Sequence, residues 1–413
     1  MSSSFAVDEH RLEGAIKELS AFSSTGGERG ITRLAWSAEY RAAQGWLIQQ
    51  MRALGLRTHV DAAGNTWGRW EVGQLPALVV GSHIDSVPMG GMFDGCLGVL
   101  AGLEVVRTLQ RAGFQPRRQM WLVAWAEEEG SATGVGLLGS RAFTGLLPDA
   151  DRVGGSDVTK SRTSKLLREG EERTGTLVAD LVTECDDISA YLELHVEQGP
   201  VLDEAEVPIG IVSQIVGLET GSVRVHGEPN HAGGTPMRSR KDALVGASIL
   251  VQATDRISRQ LGLRATVGEL VVSPGASNVI PGYCELKVDA RSESKPILDA
   301  FFVAFGEECI AIESERGLET TYQREYALAP TSLDGNLQDM LRGGAVKLGL
   351  AHMDIASGAG HDAMALASRV PTAMVFVPSR LGISHAPREY SSRDACGAGA
   401  SLLTEAAADL LSG

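Results

Sequence analysis

At 413 residues, 43% hydrophobic and 22% charged, the chain has the composition of a soluble globular protein and enough length for two domains. A formal net charge of −15 with no basic stripe to offset it excludes a nucleic-acid or anionic-membrane partner, and no apolar run approaches the ~20 residues of a membrane span. Residues 1–8 lack the basic and apolar regions of a signal peptide, and the five cysteines (Cys96, Cys185, Cys284, Cys309, Cys396) show no paired spacing, so a cytoplasmic protein with reduced thiols is expected.

In chain order, Val7–Phe22 and Ser37–Leu54 read as amphipathic helices, the second with Ser37 as N-cap. Short strands follow at Thr58–Val60, Thr66–Trp70 and Leu75–Val80, then a glycine-rich stretch holding His83, Asp85 and Asp94, and a helix over Cys96–Leu109. Met120–Ala126 is a further buried strand that ends in Glu127-Glu128-Glu129-Gly130. Residues 146–187 are polar, charged and glycine-rich and read as a surface excursion. Ala190–Val196 then alternates and delivers His195. Strands alternating with helices predict a three-layer α/β domain. Beyond about residue 212 the order changes to strand (Gly221–His226), helix (Lys241–Gln260), two strands (Ala265–Val272, Tyr283–Ala290), helix (Lys295–Glu313) and strand (Leu318–Tyr326). That is the βαββαβ order of a ferredoxin-like domain. The α/β rhythm resumes with a helix around Leu337–Leu348, the loop Ser357–Asp362, the strand Thr372–Val377, His385 in a loop and a closing helix Ala395–Leu411. A larger domain (1–212 and 328–413) carrying an inserted smaller one (213–327) is the expected organisation.

The chemistry-bearing residues gather at strand ends of the larger domain. His83, Asp94, Glu129, His195 and His385 each lie at the end of an expected strand or in the turn after it, where open α/β sheets hold their ligands. Imidazole and carboxylate without thiolate suit Zn²⁺, Mn²⁺, Co²⁺ or Ni²⁺, and five such ligands with one shared carboxylate suffice for two metal ions. Glu128, beside Glu129 in an irregular turn, can face a water as general base. Taken singly, each histidine reads better as structural, and Asp94 alone reads equally well as a helix cap. Their joint placement is what favours a metal site.

The motifs Gly81-Ser-His-Ile-Asp-Ser-Val87, Asp94-Gly95, Glu128-Glu-Gly130, Glu193-Leu-His-Val-Glu-Gln-Gly-Pro200 and Ile383-Ser-His-Ala-Pro387 resemble the M20 metallopeptidase-like superfamily. The resemblance is closer to its branch of N-carbamoyl-L-amino-acid hydrolases, allantoate amidohydrolases and β-ureidopropionases, because peptidases of the superfamily usually carry a carboxylate where this chain has His195. The resemblance implies one cation on Asp94, Glu129 and His385, a second on His83, Asp94 and His195, and Asp85 orienting His83. It casts His231, in Asn230-His-Ala-Gly-Gly-Thr-Pro-Met237, as the oxyanion stabiliser. Asn278 and Arg291 would bind the substrate carboxylate, and Gln198 and the backbone near Gly360 are further candidates for contacting substrate. It also implies that the smaller domain mediates a homodimer in which these groups complete the partner's site.

Blander readings stand beside these. Arg291 could form a surface ion pair, His231 could pack in a glycine-rich turn, and Asn278 could be a turn former. His10, His59, His226 and His352 have no partner motif and read as structural or exposed. Glu127 reads as a solvated or supporting neighbour of the base, and His361-Asp362 either as functional or as a helix start capped by Asp362. Ser131-Ala132-Thr133 replaces the family's usual Ser-Arg-Phe, and Gly234-Thr235 its threonine pair, both of which bear on the substrate pocket. The expected activity is hydrolysis of a C–N bond in a linear, carboxylate-bearing ureido or amide compound. An N-carbamoyl-L-amino acid leads, giving amino acid, CO₂ and ammonia; allantoate, an acyl amino acid or a dipeptide are alternatives. A catalytically silent binding protein is the reading from another class.

Overall fold

A computed structural model describes residues 5–26, 29–147 and 158–413. The chain divides into two compact units, Met1–Ser213 with Ser332–Gly413, and Gln214–Thr331. Both mix helices with β-sheet. Among the described residues no helix is long and apolar enough to cross a membrane.

Taken along the chain, the first unit opens with helices Glu9–Ser20 and Ala38–Ala53, capped by the side chains of Asp8 and Ser37. Strands β1 (Arg57–Val60), β2 (Thr66–Trp70) and β3 (Gln74–His83) precede the helix Cys96–Arg111, and β4 (Arg118–Trp125) follows it. After a short helix, Leu138–Thr144, the expected surface excursion is instead largely ordered. Helix Val158–Thr174 and the 3₁₀ segment Val178–Asp187 bury Leu167, Val178, Leu181 and Cys185. These apolar residues, spaced at helical intervals among the charges, give the segment a face to bury; residues 148–157 of the excursion lie outside the described ones. Strands β5 (Ile188–Val196) and β6 (Ile209–Ile215) lead into the second unit.

That unit contains β7 (Gly217–His226), β8 (Asn230–His231), helix Ala243–Leu261, β9 (Arg264–Ser273), β10 (Val279–Ile280), β11 (Tyr283–Ser292), helix Lys295–Arg316 and β12 (Glu319–Leu328). Its four long strands form an antiparallel sheet in the order β12-β7-β11-β9. A core of its own, built around Leu250, Leu286, Phe301 and Phe305, lies between that sheet and the two helices. The chain then returns to the first unit through β13 (Thr331–Ser332), helix Gly335–Leu348, β14 (His352–Ser357), helix Asp362–Leu366, β15 (Thr372–Val377) and helix Arg393–Ser412.

The first unit's sheet runs β1-β2-β4-β3-β5-β15-β6-β13, with β14 on β6. Its centre, β4-β3-β5-β15, is parallel, and β1, β2 and β6 join antiparallel. Strand alternation sorts two faces. In β5, Ala190, Leu192, Leu194 and Val196 enter the main core, to which helices Glu9–Ser20, Cys96–Arg111 and Arg393–Ser412 also contribute. Tyr191, Glu193 and His195 point the other way, Tyr191 joining Trp67, Trp125 and Phe143 in a buried aromatic cluster.

Candidate metal centre

Because the four central strands are parallel, their C-terminal ends lie along one edge of the sheet, and each delivers a group there. His83 ends β3, Glu127 to Glu129 follow β4, His195 is next to last in β5, and His385 lies in the loop after β15. Asp94 comes from the stretch between β3 and the following helix. It does not cap that helix: Gly95 is the N-cap and no side chain caps the end. Gly95 has φ +65°, and a Cβ there would come within 2.3 Å of the His83 ring. Only glycine admits both the conformation and the imidazole.

Asp94 stands between two groups of donors. Its Oδ1 is 3.2 Å from His195 Nε2 and 3.8 Å from His83 Nε2, and its Oδ2 is 3.1 Å from His385 Nε2. His385 Nε2 is 3.4 Å from Glu129 Oε2, and His83 Nε2 is 3.6 Å from Glu128 Oε2. The sets His83-Asp94-His195 and Asp94-Glu129-His385 each present one atom per residue within 4.8 Å of the others, as does His83-Glu128-Glu129. The donor set fits divalent cations. Glu129 Oε1 and Gln198 Oε1 are buried without a hydrogen-bond partner, a costly state unless something cationic or polar faces them.

The remote nitrogens of two of the imidazoles are held. His83 Nδ1 lies 3.2 Å from the Asp85 carbonyl and His195 Nδ1 is 2.8 Å from the Val196 carbonyl, which leaves Nε2 as the atom that could face a cation. The Asp85 carboxylate stands 3.6 Å from His83 Nδ1 and accepts the amides of Glu128 (3.4 Å) and Glu129 (3.2 Å). Asp85 thus braces the glutamate turn as well as the histidine.

Burial, joined by the neighbouring Glu129 charge, pushes the Glu128 carboxyl well above its ordinary range, and burial with Asp94 does the same to Glu129. Burial opposes the Asp94 charge, yet hydrogen bonds with His195 and His385 hold its carboxyl well below normal. Burial drives His83 down to about 4. For His195 the same desolvation is outweighed by Asp94, which lifts it to about 9. A crowded, mutually perturbing set of this kind marks a functional site.

Glu127 is not solvated. It is fully buried, and its Oε1 accepts the Ala132 and Thr133 amides and the Thr133 hydroxyl at 2.8, 2.5 and 3.0 Å. Ala132 and Thr133 are buried in turn, so the motif departure belongs to the turn that shapes Glu128 and Glu129. Nor does Asp362 cap a helix. His361 is the N-cap residue, its own side chain making no cap bond, and Asp362 Oδ1 accepts from Ser140 Oγ at 2.5 Å. His361 is buried with its ring 4.5 Å from that of His195 and its Nε2 2.9 Å from Ser357 Oγ. Gln198 reaches the centre, Nε2 to Asp94 Oδ2 at 3.0 Å and 3.3 Å from His385 Nε2. Gly360 is half-buried, one residue before His361. His59, rather than exposed, stacks on Trp67 with the ring planes 8° apart.

Sequence reasoning missed Glu389, which is buried and takes the Phe93 and Asp94 amides and the Ser384 hydroxyl. It stands four residues beyond His385, a spacing that could have flagged it.

In the second unit, β8 pairs with β10 and sets Asn278 beside His231, the Asn278 carbonyl accepting from Ala232 N at 2.9 Å. His231 is exposed, and its Nδ1 accepts the Gly233 and Gly234 amides at 3.0 Å each. Nε2 therefore carries the proton and can donate. Arg291 forks onto Asp289, Nε to Oδ1 at 2.9 Å and Nη2 to Oδ2 at 3.2 Å.

A family model for peptidase family M20/M25/M40 matches residues 79–409. The chain is 39% identical to the N-carbamoyl-L-amino-acid amidohydrolase of Paenarthrobacter aurescens over 93% of each sequence. It is 34% identical to the allantoate amidohydrolase of Bacillus subtilis over 91% of this chain and 92% of that one. An amidase of the hydantoinase/carbamoylase family from Burkholderia multivorans superposes with a TM-score of 0.87 at 33% identity, over 99% of both chains.

Proposed function

Since the chain belongs to peptidase family M20/M25/M40, we propose that it is a two-metal amidohydrolase that cleaves the C–N bond of a linear, carboxylate-bearing ureido compound, an N-carbamoyl-L-amino acid in the first instance. The observation that carries the reading is Asp94, whose two oxygens each face a different set of imidazole and carboxylate donors. His83, Asp94 and His195 would hold one ion, and Asp94, Glu129 and His385 the other. Bound there, two divalent ions (Mn²⁺, Zn²⁺, Co²⁺ or Ni²⁺) supply Lewis-acid polarisation of the carbonyl and a water of lowered pKa.

The chain's own residues do the rest. Glu128 takes a proton from the attacking water and returns it to the leaving nitrogen; its carboxylate, 3.6 Å from His83 Nε2, stands at the edge of the donor cluster where such a water would sit. Asp85 fixes the Glu128 amide, and Gln198 orients the Asp94 carboxylate. For an N-carbamoyl-L-amino acid the products are the amino acid, CO₂ and ammonia.

The reading extends to a homodimer in which the inserted unit reaches the partner's centre. There the partner subunit's His231 donates from Nε2 to the developing oxyanion, and the partner subunit's Asn278 and Arg291 hold the substrate carboxylate. The Nδ1 contacts of His231 support a neutral donor, and Arg291, paired here with the Asp289 carboxylate through Nε and Nη2, has the planar fork that a substrate carboxylate would need. Five buried, unpaired cysteines fit a reducing cytoplasm.

A substrate panel tests the proposal. Protein loaded with Mn²⁺ should hold about two ions per chain and turn over N-carbamoyl-L-amino acids faster than allantoate, acyl amino acids or dipeptides. Chelation should abolish activity. Full activity without metal would overturn the mechanism, and preference for allantoate would reassign the substrate.

A further inference from the structure

His83 and His195 are each held through the nitrogen that faces away from Asp94, but among the described residues no hydrogen bond is made by Nδ1 of His385. Half of the His385 side chain (49%) is exposed, and its backbone stands at φ +52°. Its Nε2 meets Asp94 Oδ2 at 3.1 Å and Gln198 Nε2 at 3.3 Å, but no described residue holds the opposite side of the ring, so its orientation also depends on how the backbone of residues 378–391 is held. Ser391 Oγ to the Pro378 carbonyl (2.8 Å) and Arg380 N to the Tyr390 carbonyl (2.9 Å) close the base of that loop. The bridge from its tip to the opposite ligand is Glu389.

Only 5% of Glu389 is exposed. Its Oε1 accepts the Phe93 amide at 2.9 Å and the Asp94 amide at 3.1 Å, and its Oε2 accepts the Ser384 hydroxyl at 2.7 Å. One carboxylate therefore clamps the main chain of Asp94 to the residue preceding His385. Gly91 makes room for it: a Cβ at that position would fall 2.1 Å from the Glu389 carboxyl carbon. Two backbone amides converging on one buried carboxylate oxygen form a stiff, charge-assisted contact.

Resting on the two-metal reading above, we propose that Glu389 is a positioning residue that sets the separation of Asp94 and His385 and thereby the affinity of the ion site they would share with Glu129. The group acts through other ligands and touches neither ion nor substrate. Outer partners of this kind typically change metal affinity by roughly 10- to 100-fold.

The test uses the full chain stripped of metal and titrated with Mn²⁺, free ion being read by electron paramagnetic resonance. Wild type should bind two ions. Glu389→Ala should weaken the ion shared by Asp94, Glu129 and His385 by about 10-fold or more and the other ion, which also uses Asp94, distinctly less, with its far-UV circular dichroism unaltered. Glu389→Gln should recover to within a few-fold, because the amide oxygen can still accept from Phe93 and Asp94 while its NH₂ meets Ser384. Ser384→Ala, which removes the Glu389 Oε2 contact and a long 3.5 Å contact to Asp94 Oδ2 but leaves Glu389 on the Phe93 and Asp94 amides, should give a smaller loss, again mainly at the ion that Asp94 and His385 would share. Equal affinity for both ions in wild type and Glu389→Ala would overturn the proposal, and so would equal weakening of both ions. A second readout needs no metal: in crystals of metal-free Glu389→Ala, His385 Nε2 should move out of reach of Asp94 Oδ2, whereas an unchanged 3.1 Å contact would overturn the proposal. Failure of wild type to bind Mn²⁺ at all would count against the two-metal reading, with the crystal measurement still deciding the clamp.

Discussion

Among single residues, the adjacent carboxylates Glu127, Glu128 and Glu129 have three different surroundings. Glu127 is consumed by the 132–133 turn, Glu129 faces His385, and Glu128 faces His83. Glu128→Gln keeps the shape and removes the base, so kcat should fall roughly 10²-fold or more while elemental analysis still finds both ions. Glu127→Gln instead loses the charge that accepts three donors and should reduce thermal stability before it reduces kcat. Normal turnover by Glu128→Gln would reassign the base. Imidazoles and carboxylates at strand ends were legible in the sequence as candidate donors, and the structure brings His83, Asp94, Glu129, His195 and His385 close together. The roles of Glu127 and Glu389 were not legible, because both bind backbone amides, and no residue name records where an amide points.

Individual elements show the same division. The parallel strands β3, β4 and β15 stood out as largely apolar runs, as expected of strands buried on both faces, and β5 as an alternating one. Strands β6 and β14 escaped notice: β6 falls where the rhythm changes, and β14 carries only Ile355 and Ser357 fully inside. At the junction of β3 with the next helix, Gly95→Ala should cost about 1–3 kcal/mol by forcing a side chain into a left-handed conformation. It should also displace His83, so calorimetry should register a lower melting temperature together with weaker metal binding. Strand β1 supplies a pH effect. Burial, aided by Arg69 and Arg57, holds His59 down to about 4 from 6.5. Its contribution to stability is complete above pH 6.5 and is lost as pH falls toward 4, since the unfolded chain takes up the proton first. Urea melts at pH 7 and pH 5 should differ by about 1 kcal/mol from this group, allowing for its partial exposure, and His59→Phe should remove that portion of the slope.

For the whole molecule, the proposed dimer makes a prediction that a self-sufficient monomer cannot meet. Homodimers of Arg291→Ala and of Glu128→Gln should each be nearly inactive. Subunit exchange between them creates hybrids with one doubly defective site and one intact site, so activity should return toward about half of wild type per hybrid. Exchange verified by mass spectrometry without any recovery would mean that Arg291 serves its own chain's site or none. Where the second unit is inserted, the larger unit's own strands already meet: Leu333 N donates to the Ser213 carbonyl at 3.1 Å, and the Gln338 side chain binds the same carbonyl at 3.3 Å. The two ends of the interruption are therefore neighbours, and closing them over a long excursion costs only slightly more entropy than closing them over a short one. The insertion is modular in that sense: a chain joined from Ser213 to Leu333 by a short glycine-serine turn meets no gap to span, and every proposed metal ligand remains within it.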